Sequence, residues 1–140
     1  MFLIDTNIIS EVRKAERCDP NVATWYAGVN DDDLYLSVLV TGEIRKGIEL
    51  SRSRDLQKSE SLQRWLHTLE QGFGDRILPV NFAVANEWGR LAALRAVPVI
   101  DGLLAATANI FDLTLVTRNI NDVTGLDVKI LNPFALSPRA

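Results

Sequence analysis

Two rhythms of apolar and polar positions alternate along this chain. The first is the short apolar run. Phe2 to Ile4, Leu34 to Ser37, Arg76 to Val80, Leu113 to Thr117 and Val128 to Leu131 each have strand length. Phe2-Leu3-Ile4 is apolar at every position, as expected of a parallel strand buried on both faces. The second rhythm is helical. A helix is predicted from Asn7 to about Lys14. Asp19 caps the next, with Pro20 at its first position, and it carries Val22, Trp25, Tyr26 and Val29. Ser37 caps a helix running through Glu43 to Leu50, with Val40, Ile44 and Ile48 as its inward stripe. A long polar helix is predicted over Asp55 to Phe73, its stripe Leu62, Trp65, Leu66 and Leu69, ended by Gly72 and Gly74. Val84, Trp88, Leu91 and Leu94 mark a further helix. Asp101 opens another, with Leu104, Ala108 and Phe111 on one face. A loop or short turn carries Arg118 to Val123, and Asn132-Pro133 stops the last strand. Pro79 puts the third strand near a sheet edge or a strand end.

Strands alternating with helices predict an α/β fold: three α/β/α layers around a mostly parallel sheet of about five strands. The 140 residues make one domain over 1–134 and a short tail over 135–140. In such a sheet, ligands bind beyond the carboxyl ends of the strands. That edge collects Asp5 after the first strand, Glu43 in the second turn of a helix, Asp101 at a helix start, and Asn119 and Asp122 after the strand ending at Thr117. Gathered carboxylates repel one another unless a cation neutralises them. Two of these acids also have plainer uses, Asp101 as a helix cap and Glu43 as a solvated helix residue. Asp5 has no simple packing role directly after a buried strand.

Composition narrows the chemistry. A single cysteine, Cys18, rules out an internal disulfide and a cysteine zinc site; it is a free thiol. The single histidine, His67, falls on the polar helix with no partner at metal spacing, so it is a surface residue. A Ser-His-Asp hydrolase would need it, and no Gly-x-Ser-x-Gly elbow is present. Any metal must therefore be held by oxygen, which favours Mg²⁺ or Mn²⁺. Trp25, Trp65 and Trp88 lie on apolar stripes and are expected in core or interface packing. The net charge is −3 but unevenly spread. Arg45 to Arg64 holds six basic residues against three acids, a +3 arm on a −6 body. Arg45, Arg54 and Arg118 are candidate phosphate contacts. No apolar run approaches the ~18 residues of a membrane helix, and the start of the chain lacks a secretory pattern. A cytoplasmic protein with no membrane partner is expected.

The ordered motifs resemble a known family. They are Leu3-Ile4-Asp5-Thr6-Asn7, Tyr35-Leu36-Ser37 with Glu43 and Gly47, Val99-Ile100-Asp101 with Ala105-Ala106, Leu115 to Asn119 with Asp122, and Asn132-Pro133-Phe134. Each alone is weak. Together, from Phe2 to Phe134, they resemble the PIN-domain nucleases, specifically the VapC toxins of the FitB-like branch. The resemblance implies a Mg²⁺- or Mn²⁺-dependent endoribonuclease acting on single-stranded segments of structured RNA such as tRNA. It also implies a toxin of a type II toxin–antitoxin pair, held by a VapB-type antitoxin. A homodimer is implied, and a heterotetramer or larger assembly with the antitoxin on operator DNA. Asp5, Glu43 and Asp101 match the family's first three acids. The fourth position is open between Asn119, where many members carry an acid, and Asp122. The resemblance implies Asp5, Glu43 and Asp101 as metal ligands, with Asp122 as the acid available for a fourth. Thr6, Asn7 and Thr117 are candidates for orienting carboxylates, water or substrate, and Arg118 for holding substrate. A dehalogenase-like phosphatase would want an acid at Asn7, and a receiver domain would want paired acids beside Asp5 and a lysine at Arg118. A PIN fold kept only for binding or regulation is the remaining alternative.

Overall fold

The structure is a computed structural model and describes residues 1–136. Five strands form one sheet: β1 (Phe2–Ile4), β2 (Leu34–Ser37), β3 (Ile77–Leu78), β4 (Thr114–Val116) and β5 (Ile130–Leu131). Their order is β3-β2-β1-β4-β5, and every neighbouring pair is parallel. Leu3 and Ile4 on β1 are both 0% exposed. Adjacent strand residues point to opposite faces, so both faces of the sheet are covered. That is the three-layer α/β/α arrangement expected from the alternation. The covering helices are α1 (Thr6–Arg13), α2 (Pro20–Ala27), α3 (Val38–Ser51), α4 (Leu56–Phe73), α5 (Phe82–Leu94), α6 (Val99–Ile110) and α7 (Ile120–Val123). No single helix among the described residues is long and apolar enough to cross a membrane.

The helix starts follow their capping side chains. Asp19 accepts from the backbone N–H of Asn21 and Val22, Ser37 from Leu39, and Asp55 from Lys58. The stripe Val40, Ile44 and Ile48 is buried, and the three tryptophans pack partly buried against the core. His67 is exposed on α4.

Several boundaries differ from the sequence reading, each for a local reason. Helix α6 begins at Val99 with Pro98 at the cap position, which supplies no side-chain acceptor. Asp101 therefore sits inside the first turn and caps nothing. Helix α2 ends at Ala27 with Gly28 as its cap, leaving Val29 outside it. Leu94 ends α5 at 54% exposure, off the buried stripe that Leu91 and Val84 occupy. Gly72 stays helical, and only Gly74, at φ +51°, ends α4. The third strand keeps two residues, because Arg76 closes a 3-10 turn and Pro79 has no N–H to pair. It is an edge strand, as Pro79 implies. Of the tail at 135–140, Ala135 closes the 3-10 turn Pro133–Ala135. Residues 137–140 lie outside the described residues.

Candidate active site

The strand order fixes where a site belongs. From β1 the chain moves outward through β2 and β3, then returns to the other side of β1 with β4 and β5. The topological switch therefore lies between β1 and β4, and the crevice at their carboxyl ends is where such sheets bind ligands. Asp5 follows β1 and Thr117 follows β4. They meet there: the Thr117 hydroxyl donates to Asp5 Oδ2 at 2.7 Å, and Asp5 N donates to Val116 O at 2.9 Å.

Asp5 does have a local structural role, contrary to the sequence reading. Its Oδ1 accepts from Thr6 N at 2.6 Å as the cap of α1. Asn7 Nδ2 adds a donor to Oδ2 at 3.2 Å. Three donors thus hold one buried carboxylate in a single orientation. Burial still pushes the Asp5 carboxyl above its ordinary value, against the pull of Thr117, Thr6 and Asn7.

Glu43, on α3, accepts the Thr6 hydroxyl at 2.9 Å. Asp101 lies on α6, and its carboxylate accepts no hydrogen bond from any described residue. Its carboxyl is pushed up to about 6, first by burial and then by the charges of Asp5, Asp122 and Glu43. Asp5, Thr6, Asn7, Glu43, Ile100, Asp101 and Asn119 line one cavity of about 400 Å³. Three acids from three elements therefore share a concave site, as read from the sequence. Asn119 lines this cavity, whereas Asp122 lines its neighbour and reaches Asp101 through its charge.

Thr117 is 1% exposed, and its hydroxyl is spent on Asp5 and on the Asn119 N–H. It positions the acid and does not face a substrate. Asn7 is used up likewise: Nδ2 serves Asp5 and Thr117, and Oδ1 accepts the Arg118 N–H at 3.2 Å. Thr6 orients Asp5 and Glu43 together. Arg118 is exposed beside the site, with its guanidinium over the Phe134 ring. Arg45, on α3, and Arg54, between α3 and α4, do not line the acidic cavity. Arg45 leans on Glu49 at 3.5 Å, and Arg54 lines a separate pocket with Lys58.

No group of three carboxylates among the described residues is close enough to enclose a metal ion unaided. The donor set still fits Mg²⁺, which takes oxygen ligands, keeps several waters and is usually held by one or two carboxylates. Asp101, a carboxylate with no donor among the described residues and three acidic neighbours, is the observation that asks for a cation here.

The PIN domain family model matches residues 2–121. This chain belongs to the PIN-domain family. Within it, the PIN chain is 30% identical over 141 residues to Toxin FitB of Neisseria gonorrhoeae, covering 96% of this chain and 99% of FitB. It is 27% identical over 139 residues to the VapC ribonuclease Y4jK of Sinorhizobium fredii, covering 96% and 98%. The crystal structure of FitAcB from Neisseria gonorrhoeae superposes with a TM-score of 0.88 at 30% identity, over 97% of this chain and all of that one. A structure of FitAB bound to an IR36 DNA fragment matches with a TM-score of 0.88 at 28% identity, over all of both chains. The resemblance read from the ordered motifs is borne out in family and fold.

Two supports of the site gave no signal in the sequence. Gly102, next to Asp101, is buried so tightly that an added Cβ would lie 3.1 Å from Trp88 Cδ1, Trp88 Nε1 and Val97 Cγ1. Arg95 donates to Asn121 O, Thr124 O and Ala96 O, tying the α5–α6 connection to the turn that carries Asp122. The Gly102→Ala variant is expected to lose about 1–3 kcal/mol of stability by overpacking. Denaturant unfolding beside the wild type checks this, and an unchanged midpoint would show that the indole moves aside freely.

Proposed function

We propose that this PIN domain is a Mg²⁺-dependent endoribonuclease, with Mn²⁺ as a substitute, and the toxin of a type II toxin–antitoxin pair. Its substrate is a single-stranded segment of a structured RNA such as tRNA. The observation that carries this reading is the convergence of Asp5, Glu43 and Asp101 on one cavity, with Asp101 unpartnered and pushed up to about 6. Asp5 and Asp101 would hold the cation directly. Glu43 and Asp122 would add charge around it and hold its waters. When bound, the cation supplies Lewis-acid activation of water and neutralises charge on the phosphodiester. The chain's own residues do the rest. Thr117, Thr6 and Asn7 fix the Asp5 carboxylate, and Thr6 fixes Glu43. Asn119 presents a neutral amide in the same cavity as the three acids, so it can donate to a phosphate oxygen without repelling it.

The partners follow from the relatives. FitB is named a toxin, and its complex FitAB binds a DNA fragment. A VapB-type antitoxin, a homodimer, and a heterotetramer or larger assembly on operator DNA are proposed here by that likeness, in the cytoplasm. A basic antitoxin side chain would be drawn to the acidic cavity. One observation favours the alternative of a catalytically weak nucleic-acid-binding module: the cavity wall carries the amide Asn119 at the position where the family resemblance leads one to expect an acid. Metal dependence separates the two. The purified chain is expected to cut RNA in Mg²⁺, stop on EDTA and resume when Mg²⁺ is restored in excess. Cleavage that persists in EDTA would sink the metal reading, and binding with no cleavage in any metal would favour the module.

A further inference from the structure

Beside the acidic cavity lies a second one, of about 530 Å³, lined by Arg118, Asn119, Ile120, Asn121, Asp122 and Asn132. Asn119 lines both, so the two are contiguous. At its rim the Arg118 guanidinium carbon sits 4.4 Å from the centroid of the Phe134 ring. Resting on the proposed ribonuclease function, we propose that Arg118 on Phe134 is a stacking platform for one unpaired nucleobase of the RNA, next to the phosphate held in the acidic cavity.

The platform is rigid from below. Phe134 N donates to Asn132 Oδ1 at 3.0 Å, and Phe134 O accepts from Asn21 Nδ2 at 2.9 Å. Pro133 beside it is buried. Arg118 is anchored through its backbone, whose N–H donates to Asn7 Oδ1, and Asn7 in turn holds Asp5. The base site is therefore tied to the catalytic acid through one side chain. The guanidinium makes no hydrogen bond or ion pair with a described residue. It lies over the aromatic ring, the Arg118 residue is exposed, and Glu11 is close enough to feel its charge.

A planar cation braced by an aromatic ring is a surface on which bases stack. The wall chemistry agrees. Asn119 and Asn121 carry amides that no described residue engages, and each offers both a donor and an acceptor to a base edge. A phosphate needs donors alone, whereas Asp122 on the same wall is an acceptor that repels phosphate. A base with exocyclic amino groups fits both. This refines the sequence reading of Arg118, which treated it as a phosphate contact.

The test uses RNA binding by chains carrying Asp5→Asn, so that the probe stays intact. The probes are a single-stranded oligoadenylate 12-mer and a 12-mer of the same backbone with abasic residues. Arg118→Lys keeps the charge and removes the plane; Phe134→Leu removes the brace. Each is expected to weaken oligoadenylate binding about tenfold, the order of one lost base–side-chain stack. Neither should change abasic binding, and Arg118→Lys should keep the salt slope. Thermal melts show whether Phe134→Leu remains folded, and Arg118→Lys carries the conclusion alone if it does not. Oligoadenylate binding unaltered by Arg118→Lys overturns the platform and leaves the ribonuclease reading standing. Equal losses on both probes would make Arg118 a phosphate anchor and also overturn the platform. Failure of the chain to bind either probe would overturn the RNA reading, and the platform with it.

Discussion

The Asp5→Asn variant is expected to lose more than about 100-fold in RNA cleavage while keeping its fold. Partners that merely orient metal ligands cost about 10–100-fold when removed, so a ligand itself should cost more. The fold is expected to survive because asparagine keeps the shape and the α1 cap. Its Oδ1 can still accept from Thr6 N. The new amide faces Asn7 Nδ2, so that contact is lost, and the Thr117 hydroxyl must turn from donating to accepting. Against this, a buried charge disappears. The net change should stay within about 1–2 kcal/mol. Single-turnover cleavage at equal Mg²⁺, with circular dichroism melts of both proteins, measures the two effects. Wild-type cleavage by the variant would remove Asp5 from the mechanism.

The Asp101→Asn variant should abolish cleavage too, yet make the metal-free chain more stable at pH 8. In the fold the Asp101 carboxyl is pushed up to about 6 from an ordinary value of 3.8. Between those values the folded chain binds a proton that the unfolded chain has released. Stability therefore falls as pH rises through that window, and stays lower above it. Asparagine removes this loss. Much of the side chain is open to solvent, which screens the effect, so the gain at pH 8 should be about 1 kcal/mol or less. At pH 4 the two proteins should differ little. Asp5 is shifted in the same direction, so wild type and variant must be compared under identical conditions to isolate Asp101. Urea unfolding in EDTA at both pH values decides it. A variant less stable than wild type at pH 8 would show that Asp101 is held by contacts the repulsion does not outweigh.

The sheet and its acidic edge were legible because their signals are local. Phe2-Leu3-Ile4 announces a buried strand, and the following Asp5 must emerge at its carboxyl end. Ser37 and Asp19 cap their helices as their positions require. What failed was register at element ends. Pro98 moved the start of α6 two residues ahead of Asp101, because proline fixes an extended entry without offering an acceptor. That shift frees Asp101 from capping and leaves it to its acidic neighbours. The supports of the site were legible only in part. Thr6 and Thr117 read as residues that orient carboxylates, but which acid each one holds, and the packing of Trp88 against Gly102, depend on contacts between residues separated in sequence. No periodicity encodes them. The fourth position stayed ambiguous because Asn119 and Asp122 share one turn, and only three dimensions show that Asn119 lines both cavities while Asp122 lines the outer one alone.

Asp5, Glu43 and Asp101 are expected to create a divalent-cation site. Titration of the purified chain with Mn²⁺, followed by the loss of the free-ion paramagnetic resonance signal, tests it without any substrate. At least one ion should bind per wild-type chain, competed by Mg²⁺ and weakening as pH falls through about 6. Binding should be lost in the Asp5→Asn, Asp101→Asn double variant. Mn²⁺ binding equal in the wild type and the double variant, or absent from both, would contradict it.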